Sequence, residues 1–206
     1  MNLFINVYKI FQTTLFVYAA FVFDNMGNPI RAIDRLATPS DFGSGHLNPD
    51  HGMSPGLVYE FDDKDVHIFL CSQKTDPKRL RAITGIALKC QNPAVPAYQL
   101  NLPNIAISNL DKPIGVNNRT VTFKGKREGP QVFRVSVEQP EGVNVRVEPQ
   151  VLNFSRGETK LSYTVQFTPS RARGSGYTFG SLNWRDGQHV VRGTKILILV
   201  RFLRLA

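Results

Sequence analysis

Apolar residues recur at every second position between Val132 and Phe167, a period that is typical of strands with one buried face. Residues of turn type, Pro140-Glu141-Gly142 and Ser155-Arg156-Gly157, separate the apolar runs. The pattern predicts that these strands form an antiparallel sheet, one half of a β-sandwich. The three runs are Phe133, Val135 and Val137; Val143, Val145 and Val147; and Leu161, Tyr163, Val165 and Phe167.

Short apolar runs on both sides of this region predict further strands at 105–108, 116–123, 177–184 and 190–202. The resulting seven or eight segments are the number expected of an immunoglobulin-like or fibronectin-like sandwich. Trp184, the sole tryptophan, precedes an Asp-Gly turn and is interpreted as a core anchor rather than a ligand platform. The last run, KILILV at 195–200, is apolar on both faces and would be prone to aggregation at an open edge.

The alternation is absent from the first half of the chain. Residues 42–59 carry Gly or Pro every few positions, and we expect no regular element there. Two short helices should follow, one starting at Asp62 or Asp63 and one at Asp76-Pro77. Helices this short must pack on another part of the protein. Their apolar positions are Val66, Phe69 and Leu70 in the first helix, and Leu80 and Ile83 in the second.

The amino-terminal segment, residues 1–23, is apolar and aromatic with a single charge, Lys9. It lacks a small-x-small cleavage site, so it would be a poorly formed signal peptide. Within it, the run from Ile10 to Phe23 is too short, and too interrupted by Gln12, Thr13 and Thr14, to span a bilayer comfortably. A buried segment that has lost its packing partners is the alternative interpretation.

Charge is distributed unevenly along the chain. The formal net charge is +9 over 206 residues, with nine basic and nine acidic residues in 1–97 and sixteen basic and seven acidic residues in 98–206. We find no basic helix, stacking platform or nucleic-acid motif, so a nucleic-acid partner is not expected. The clusters Lys124, Lys126 and Arg127, and Arg171 and Arg173, are interpreted as solvated loop charge. A weak, salt-sensitive anionic polysaccharide contact stays open.

The two cysteines, Cys71 and Cys90, are nineteen positions apart and have no Cys or His neighbours at zinc-ligand spacing. We expect neither a metal site nor a cofactor. A disulfide is favoured over two buried thiols, and it would contribute on the order of 3 kcal/mol in an oxidising compartment. Sequons at Asn118 and Asn153 predict glycosylation in the same compartment.

Residues of the type used in nucleophilic catalysis are present but not in a recognisable catalytic arrangement. Asp41, Ser44 and His46 lie close in sequence, and groups that close seldom converge side chain to side chain. His46 is therefore interpreted as structural. The other histidines, His51, His67 and His189, have no serine or cysteine in a nucleophile-elbow context. We expect no catalytic residue.

Seven phrases, in this order, resemble the carboxyl-terminal part of plant subtilisin-like serine proteases of the cucumisin type. The resemblance covers about residues 22–200. Two positions depart from the family pattern, Lys124-Gly125-Lys126-Arg127 and Thr194-Lys195, and neither breaks the predicted sandwich. The phrases are ATPSDFGSGHLNP, SPGLVYEFDDKDVHIFLC, LNLPNIAI, NRTVT, QPEGVNVRVEPQVLNF, YTVQF and FGSLNWRDGQHVVR.

The resemblance implies a mainly β protein: a fibronectin type III-like antiparallel β-sandwich at 98–206, preceded at 24–97 by a loop-rich, short-helical remnant of the α/β peptidase domain. Residues 1–23 resemble neither the sandwich nor the peptidase domain of the family. Cys71 and Cys90 fall where the family has paired cysteines. The family's Gly-Thr-Ser-Met motif does not occur in the chain. In the family, the corresponding stretch packs on the peptidase body. The resemblance therefore implies that residues 42–59 lack most of that packing surface in this chain.

Two hypotheses follow from the sequence. The first is a truncated, non-catalytic carboxyl-terminal piece of a secreted, disulfide-bonded glycoprotein of the peptidase S8 type, whose sandwich stabilises the protease in full-length relatives. The missing peptidase domain or a protein partner would then bind it, in the cell wall or another extracellular site. The second is a free-standing basic module that binds an anionic wall polymer or a protein. An active hydrolase with an unrecognised site is the least favoured.

Overall fold

A computed structural model describes residues 20–73, 75–125, 129–155, 157–170 and 176–200 of this protein. The predictions on residues 1–19, Lys126, Arg127, Arg156, Arg171 and Arg173, and on residues 201–202 of the last predicted strand, lie outside the described residues, as do the side chains of Thr194 and Lys195.

Short helices occupy the first part of the described chain: α1 (Pro39–Phe42), α2 (Pro49–Met53), α3 (Asp63–Ser72), α4 (Pro77–Thr84) and a 3-10 turn (Ala97–Gln99). Both predicted helix starts are confirmed. The Asp62 carboxylate accepts hydrogen bonds from the first-turn N–H groups of α3, and Pro77 opens α4. The predicted apolar positions are only partly buried, since Leu80 is buried whereas Phe69 and Ile83 are 41% and 66% exposed.

The remaining described chain is mostly strand. The strands are β1 (Gly56–Val58), β2 (Asn104–Ile107), β3 (Ile114–Lys124), β4 (Gln131–Glu138), β5 (Val143–Glu148), β6 (Val151–Phe154), β7 (Lys160–Pro169), β8 (Gly176–Arg185) and β9 (Val190–Val200). All predicted strands are present within one or two residues of their expected positions, and the mainly β fold class is confirmed.

The strands form two sheets. One has the order β1-β3-β7-β5, and the other has the order β2-β9-β8-β4-β6. The prediction that the three alternating runs form one sheet is wrong, because β4 lies in the second sheet while β5 and β7 lie in the first. The Pro140-Gly142 turn carries the chain from one sheet to the other. Alternation identifies a strand's buried face and carries no information about its neighbour.

The apolar β9 strand is protected from solvent on both edges. It pairs in parallel with β2 and antiparallel with β8, so it lies inside its sheet. Ile196 and Ile198 are buried in the core. The aggregation hazard expected of KILILV at an open edge is therefore absent from the fold.

Aromatic side chains from both sheets fill the space between them. Phe133 and Phe154 pack edge to face with ring centroids 6.0 Å apart, and the buried Trp184 packs against Tyr163 at 5.2 Å. Trp184 is fully buried, which confirms its interpretation as a core anchor.

The prediction of no regular element in residues 42–59 is wrong. The run contains α2 and β1, and β1 pairs antiparallel with β3 in the register Gly56 to Lys124, Leu57 to Phe123 and Val58 to Thr122. Leu57, Val58 and Tyr59 are buried in the core that both sheets share. The segment therefore packs on the sandwich, a surface that the family resemblance did not suggest for it.

Candidate functional site

Of the three residues weighed as a triad, Asp41, Ser44 and His46, the first and the last make their side-chain contacts with other residues. Both oxygens of Asp41 accept hydrogen bonds from Arg35, at 2.7 and 2.9 Å, and one also accepts from Thr38. These hydrogen bonds, chiefly the one from Arg35, hold the pKa of Asp41 well below its usual range. The His46 ring packs on Phe21 at 5.8 Å. Among the described residues, Asp41 and His46 share no hydrogen bond.

Cys71 and Cys90 are joined by a disulfide. The bond connects the end of α3 to the chain beyond α4, and so it closes a loop that contains α4. Only one residue of these helices, Leu80, is buried, so the disulfide replaces packing as the restraint on this region. No group of His, Cys, Asp or Glu side chains that could hold a metal ion occurs among the described residues.

Both predicted glycosylation positions are exposed. Asn118 lies in a β-bulge of β3 with a φ of 56°, and its side chain is exposed. Asn153 lies on β6, where its exposed side chain alternates with the buried Leu152 and Phe154. A glycan at either position would point away from the core, and the modification itself stays a prediction.

The structure brings together three residues that the sequence did not connect: Ser54, Asp186 and His189. The Ser54 hydroxyl lies 3.1 Å from His189 Nε2, and His189 Nδ1 lies 2.7 Å from the Asp186 carboxylate. The side chains of His189 and Asp186 are 17% and 5% exposed. A proton on Nδ1 would be donated to Asp186 and leave Nε2 to accept from Ser54. This is the polarity of a serine-hydrolase triad.

The surroundings of this trio are those of a packing contact between two chain segments. Gly56 has a φ of 74°, and a Cβ atom there would lie 3.1 Å from His189 Cγ. Phe133 lies near the same imidazole at a centroid distance of 6.5 Å. Ser54 lies in the turn before β1, not between a strand and a helix as in a nucleophile elbow. The imidazole thus joins the start of β1 to the turn between β8 and β9.

Asp186 organises that turn through its own hydrogen bonds. Its Oδ1 atom accepts from the backbone N–H groups of Gln188 and His189, at 2.9 and 2.5 Å. Burial raises the pKa of the Asp186 carboxyl, but the hydrogen bonds from His189 and Gln188 outweigh it, and the pKa is lowered.

A second group of contacts holds the other end of β1. The hydroxyl groups of Tyr59 and Tyr163 share a buried hydrogen bond, and Lys160 forms an ion pair with Glu60. The hydrogen bond from Lys160 lowers the pKa of the Glu60 carboxyl. Asn101 also donates to the Glu60 carbonyl, at 3.1 Å. We call residues 54–60 with these partners the β1 junction.

Arg119, which no pattern in the sequence singled out, is fully buried. Its guanidinium donates to the carbonyl oxygens of Leu102, Tyr98 and Asn104, the last at 3.1 Å. These bonds fix the chain that leads from the 3-10 turn into β2. The sequence does contain a signal for the bulge that turns Arg119 inward, namely the pair Asn117-Asn118. Asn adopts the left-handed backbone conformation found at this bulge more readily than most residues do.

Comparison with known proteins identifies the family of this chain. Residues 99–197 match the sequence model of the Fibronectin type-III domain. Subtilisin-like serine-protease S of Lotus japonicus is 42% identical over 156 residues, which make up 76% of this chain and 20% of that protein. The chain belongs to the plant subtilisin-like proteases.

Other proteases of this family show the same extent of similarity. Subtilisin-like protease SBT5.3 of Arabidopsis thaliana is 34% identical over 182 residues, covering 87% of this chain and 23% of that protein. Subtilisin-like protease SBT3.11 of Arabidopsis thaliana is 38% identical over 173 residues, covering 82% and 22%. The chain thus spans about a fifth of the length of these proteases and corresponds to their carboxyl-terminal part, with its fibronectin type III domain.

Solved structures add little to this relationship. The ASH / PapD-like domain of human CEP192 aligns with a TM-score of 0.36 and 13% identity over 50% of this chain and 84% of that chain, too low a score to carry an argument. In the described part of this subtilisin-like protease chain, no helix has the length and apolar character needed to cross a membrane.

Proposed function

We propose that this chain is the non-catalytic carboxyl-terminal part of a subtilisin-like serine endopeptidase, in which the fibronectin type III domain stabilises the peptidase. In this proposal residues 24–97 are the end of the peptidase domain and residues 98–206 are the accessory domain. The observation that carries the proposal is the β1 junction. A strand from the peptidase side is paired with β3 and buried in the sandwich core, so the sandwich anchors that segment directly.

The distribution of exposed apolar side chains supports a partner on the peptidase side. Among the described residues, nine of the twelve exposed large hydrophobic side chains lie in 20–97. Exposed apolar residues concentrated in this way mark an interaction surface. In the proposal the α/β peptidase body covers them. The nine are Phe23, Met26, Ile33, Leu36, Leu47, Met53, Phe69, Ile83 and Ile86.

Reconstitution tests this proposal. The peptidase part of Subtilisin-like serine-protease S, produced without its own carboxyl-terminal fifth, should bind the chain and unfold at a higher temperature when bound. Replacing Ile33 and Met53 by Asp should weaken binding. Replacing Tyr177, which is 66% exposed on the sandwich, by Asp is the matched control and should have no effect. Equal binding by both variants, or no binding by the wild type, contradicts the proposal.

Labelling with a fluorophosphonate probe tests the non-catalytic part of the proposal. Ser54 is hydrogen-bonded to His189, yet the packing of the imidazole against Gly56 favours a structural role. We expect labelling of the chain no greater than that of the Ser54→Ala variant. Stoichiometric labelling that Ser54→Ala abolishes would show an active nucleophile and refute this part.

Extracellular location is part of the same proposal. It is supported by the Cys71–Cys90 disulfide and by the exposure of Asn118 and Asn153. Expression through a plant secretory pathway should yield a chain whose mass falls on treatment with a glycosidase. The double variant Asn118→Gln and Asn153→Gln should show no such change. An unmodified wild-type chain would count against glycosylation.

One observation favours the alternative function, a module that binds an anionic wall polymer. Arg134 on β4 and Arg185 on β8 lie directly opposite each other and are both exposed. Like charges in this arrangement are destabilising, and an anion between them would remove the repulsion. No carboxylate forms an ion pair with either of them within the described ranges.

Retention on immobilised polygalacturonate tests the alternative. Binding by two arginines should be lost near physiological salt, where charges about 8 Å apart are already screened. Arg134→Ala should abolish retention. Arg146→Ala, which removes an arginine already paired with Glu148, should not. Retention that is unaffected by Arg134→Ala would rule out this surface.

A further inference from the structure

Strand β6 lies at one edge of its sheet and has an open side. In the described part of the chain, β6 pairs with β4 alone. The Val135 N–H donates to the Gln150 carbonyl at 3.0 Å, so every second residue from Gln150 onward bonds to β4. Val151 and Asn153 lie between these positions. Their main-chain N–H and C=O groups therefore point away from β4, toward the open side.

Other edge positions of the sandwich show how such groups are occupied. On β5, Gln139 bonds to the N–H and the C=O of Val145. On β3, Gln99 donates to the Gly115 carbonyl at 2.7 Å and accepts from the Asn117 N–H at 3.1 Å. Among the described residues, no amide side chain makes such a pair of bonds to β6. The open side of β6 thus lacks the protection that β3 and β5 have.

The sequence of β6 favours pairing with a further strand. Residues 150–155, Gln-Val-Leu-Asn-Phe-Ser, contain neither a charged residue nor a proline. Val151 is 38% exposed. Uncharged segments of high β-propensity at an open edge tend to pair with other chains. An unprotected β6 would therefore let copies of this chain associate edge to edge.

One of the two predicted glycosylation positions lies within this edge. Asn153, Phe154 and Ser155 form the sequon. The Asn153 side chain is exposed, whereas those of Leu152 and Phe154 are buried. A glycan there would be attached to a residue whose own main chain faces the open side. Because a glycan is bulky and solubilising, a strand approaching β6 would have to displace it.

We propose that Asn153 is a modification site whose glycan blocks the addition of strands to β6. The proposal rests on the glycosylation that is part of the proposed function, and it goes beyond it by giving one glycan a place and a role. The Asn153 side chain is outside the core, so the glycan acts on association between copies and not on folding. Asn118 has no such role, since Gln99 occupies the edge of β3 beside it.

Aggregation of the secreted, glycosylated chain tests the proposal. Light scattering is followed below the unfolding temperature for the wild type, Asn153→Gln and Asn118→Gln, each variant lacking one sequon. Asn153→Gln should aggregate several-fold faster at an unchanged unfolding temperature, and Asn118→Gln should behave as the wild type. Equal rates for the two variants overturn the proposal, as does a wild type whose Asn153 carries no glycan by mass spectrometry. Neither result alters binding to the peptidase part, so the proposed function is tested separately.

A charge placed on β6 locates the association. In the Asn153→Gln background, Val151→Glu should restore the wild-type rate, because a charged side chain on an edge strand opposes pairing. Tyr177→Glu in the same background is the matched control and should not restore it. Tyr177 is 66% exposed, but its strand, β8, lies between β9 and β4. Equal suppression by both glutamates would show a general effect of charge and overturn the proposal.

Discussion

Arg119 shows how a single backbone feature decides which side chain is buried. The bulge at residues 117–118 shifts the alternation of buried and exposed positions along β3. Before the bulge Val116 is buried, and after it Arg119 and Val121 are buried. Without the bulge, Arg119 would face solvent. Burial of a guanidinium is tolerated here because main-chain carbonyl oxygens receive its N–H groups.

Replacing Arg119 by Met should lower the free energy of unfolding by about 2–4 kcal/mol, because buried carbonyl groups lose charged donors. Urea denaturation followed by tryptophan fluorescence measures the change, since Trp184 is in the core. Arg134→Met, on an exposed position, should change stability by no more than about 0.5 kcal/mol. Equal shifts of the two variants would show that the Arg119 hydrogen bonds are not stabilising.

Asp186 should make the stability of the β8–β9 turn depend on pH. The folded-state pKa of this carboxyl is lowered, despite burial, by the hydrogen bonds from His189 and Gln188. Its contribution is therefore fully present above the unfolded-chain pKa, near 4. It is lost as the pH falls through the lower folded-state value.

The Asp186→Asn variant should accordingly unfold at a lower temperature than the wild type at pH 7, and the difference should shrink below about pH 4. Calorimetry at several pH values measures this. Asp50→Asn, on an exposed residue of α2, is the control. A difference between Asp186→Asn and the wild type that stays constant down to pH 2 would mean that the carboxylate charge does not matter.

At the scale of elements, amide side chains close the exposed edges of the sandwich. Gln139 bonds to both the N–H and the C=O of Val145 on the edge strand β5, at 2.6 and 3.1 Å. Asn101 makes the same pair of bonds to Thr120 on β3, both at 2.9 Å. Such side chains occupy the groups with which another strand would pair.

Replacing Gln139 by Ala should open the β5 edge. We expect a loss of about 1 kcal/mol and faster aggregation on heating, because Val145 then presents unpaired main-chain groups. Light scattering during a temperature ramp measures the aggregation. Gln166→Ala is the control, since Gln166 lies on β7, between β3 and β5. Aggregation of both variants at the same temperature would argue against edge protection.

The disulfide should stabilise the helices and leave the sandwich unaffected. Reduction of Cys71–Cys90 removes a restraint of about 3 kcal/mol from a region with little buried surface. Amide hydrogen exchange in α3 and α4 should therefore accelerate on reduction, while exchange in β7 and β8 should stay unchanged. Faster exchange throughout the sandwich would show that the helices support the core.

At the scale of the whole molecule, the sandwich includes residues that lie far away in the sequence. Leu57, Val58 and Tyr59 belong to the same core cluster as Trp184, although the family resemblance assigns them to the peptidase side. A chain that begins at residue 98 would lack this strand. We therefore expect the folding unit of the sandwich to begin before Ser54.

Leu57→Ala should lower the free energy of unfolding of the sandwich by about 2–5 kcal/mol, the cost of a cavity in a packed core. Leu47→Ala removes the same atoms from a side chain that is 61% exposed and should have little effect. Tryptophan fluorescence reports on the sandwich in both cases. If Leu57→Ala has no effect on that transition, β1 is not part of the folding unit.

The sequence by itself determined the strands β2 to β5 and β7 to β9, the starts of α3 and α4, the core position of Trp184 and the family relationship. Each of these depends on local patterns: period-2 alternation, capping residues and ordered motifs. The tertiary structure alone decided which strands share a sheet, that β1 completes it, that Arg119 turns inward, and that Ser54 meets His189. These depend on contacts between residues as many as 135 positions apart, and local patterns carry no information on such contacts because they record which face of an element is apolar and not what covers it.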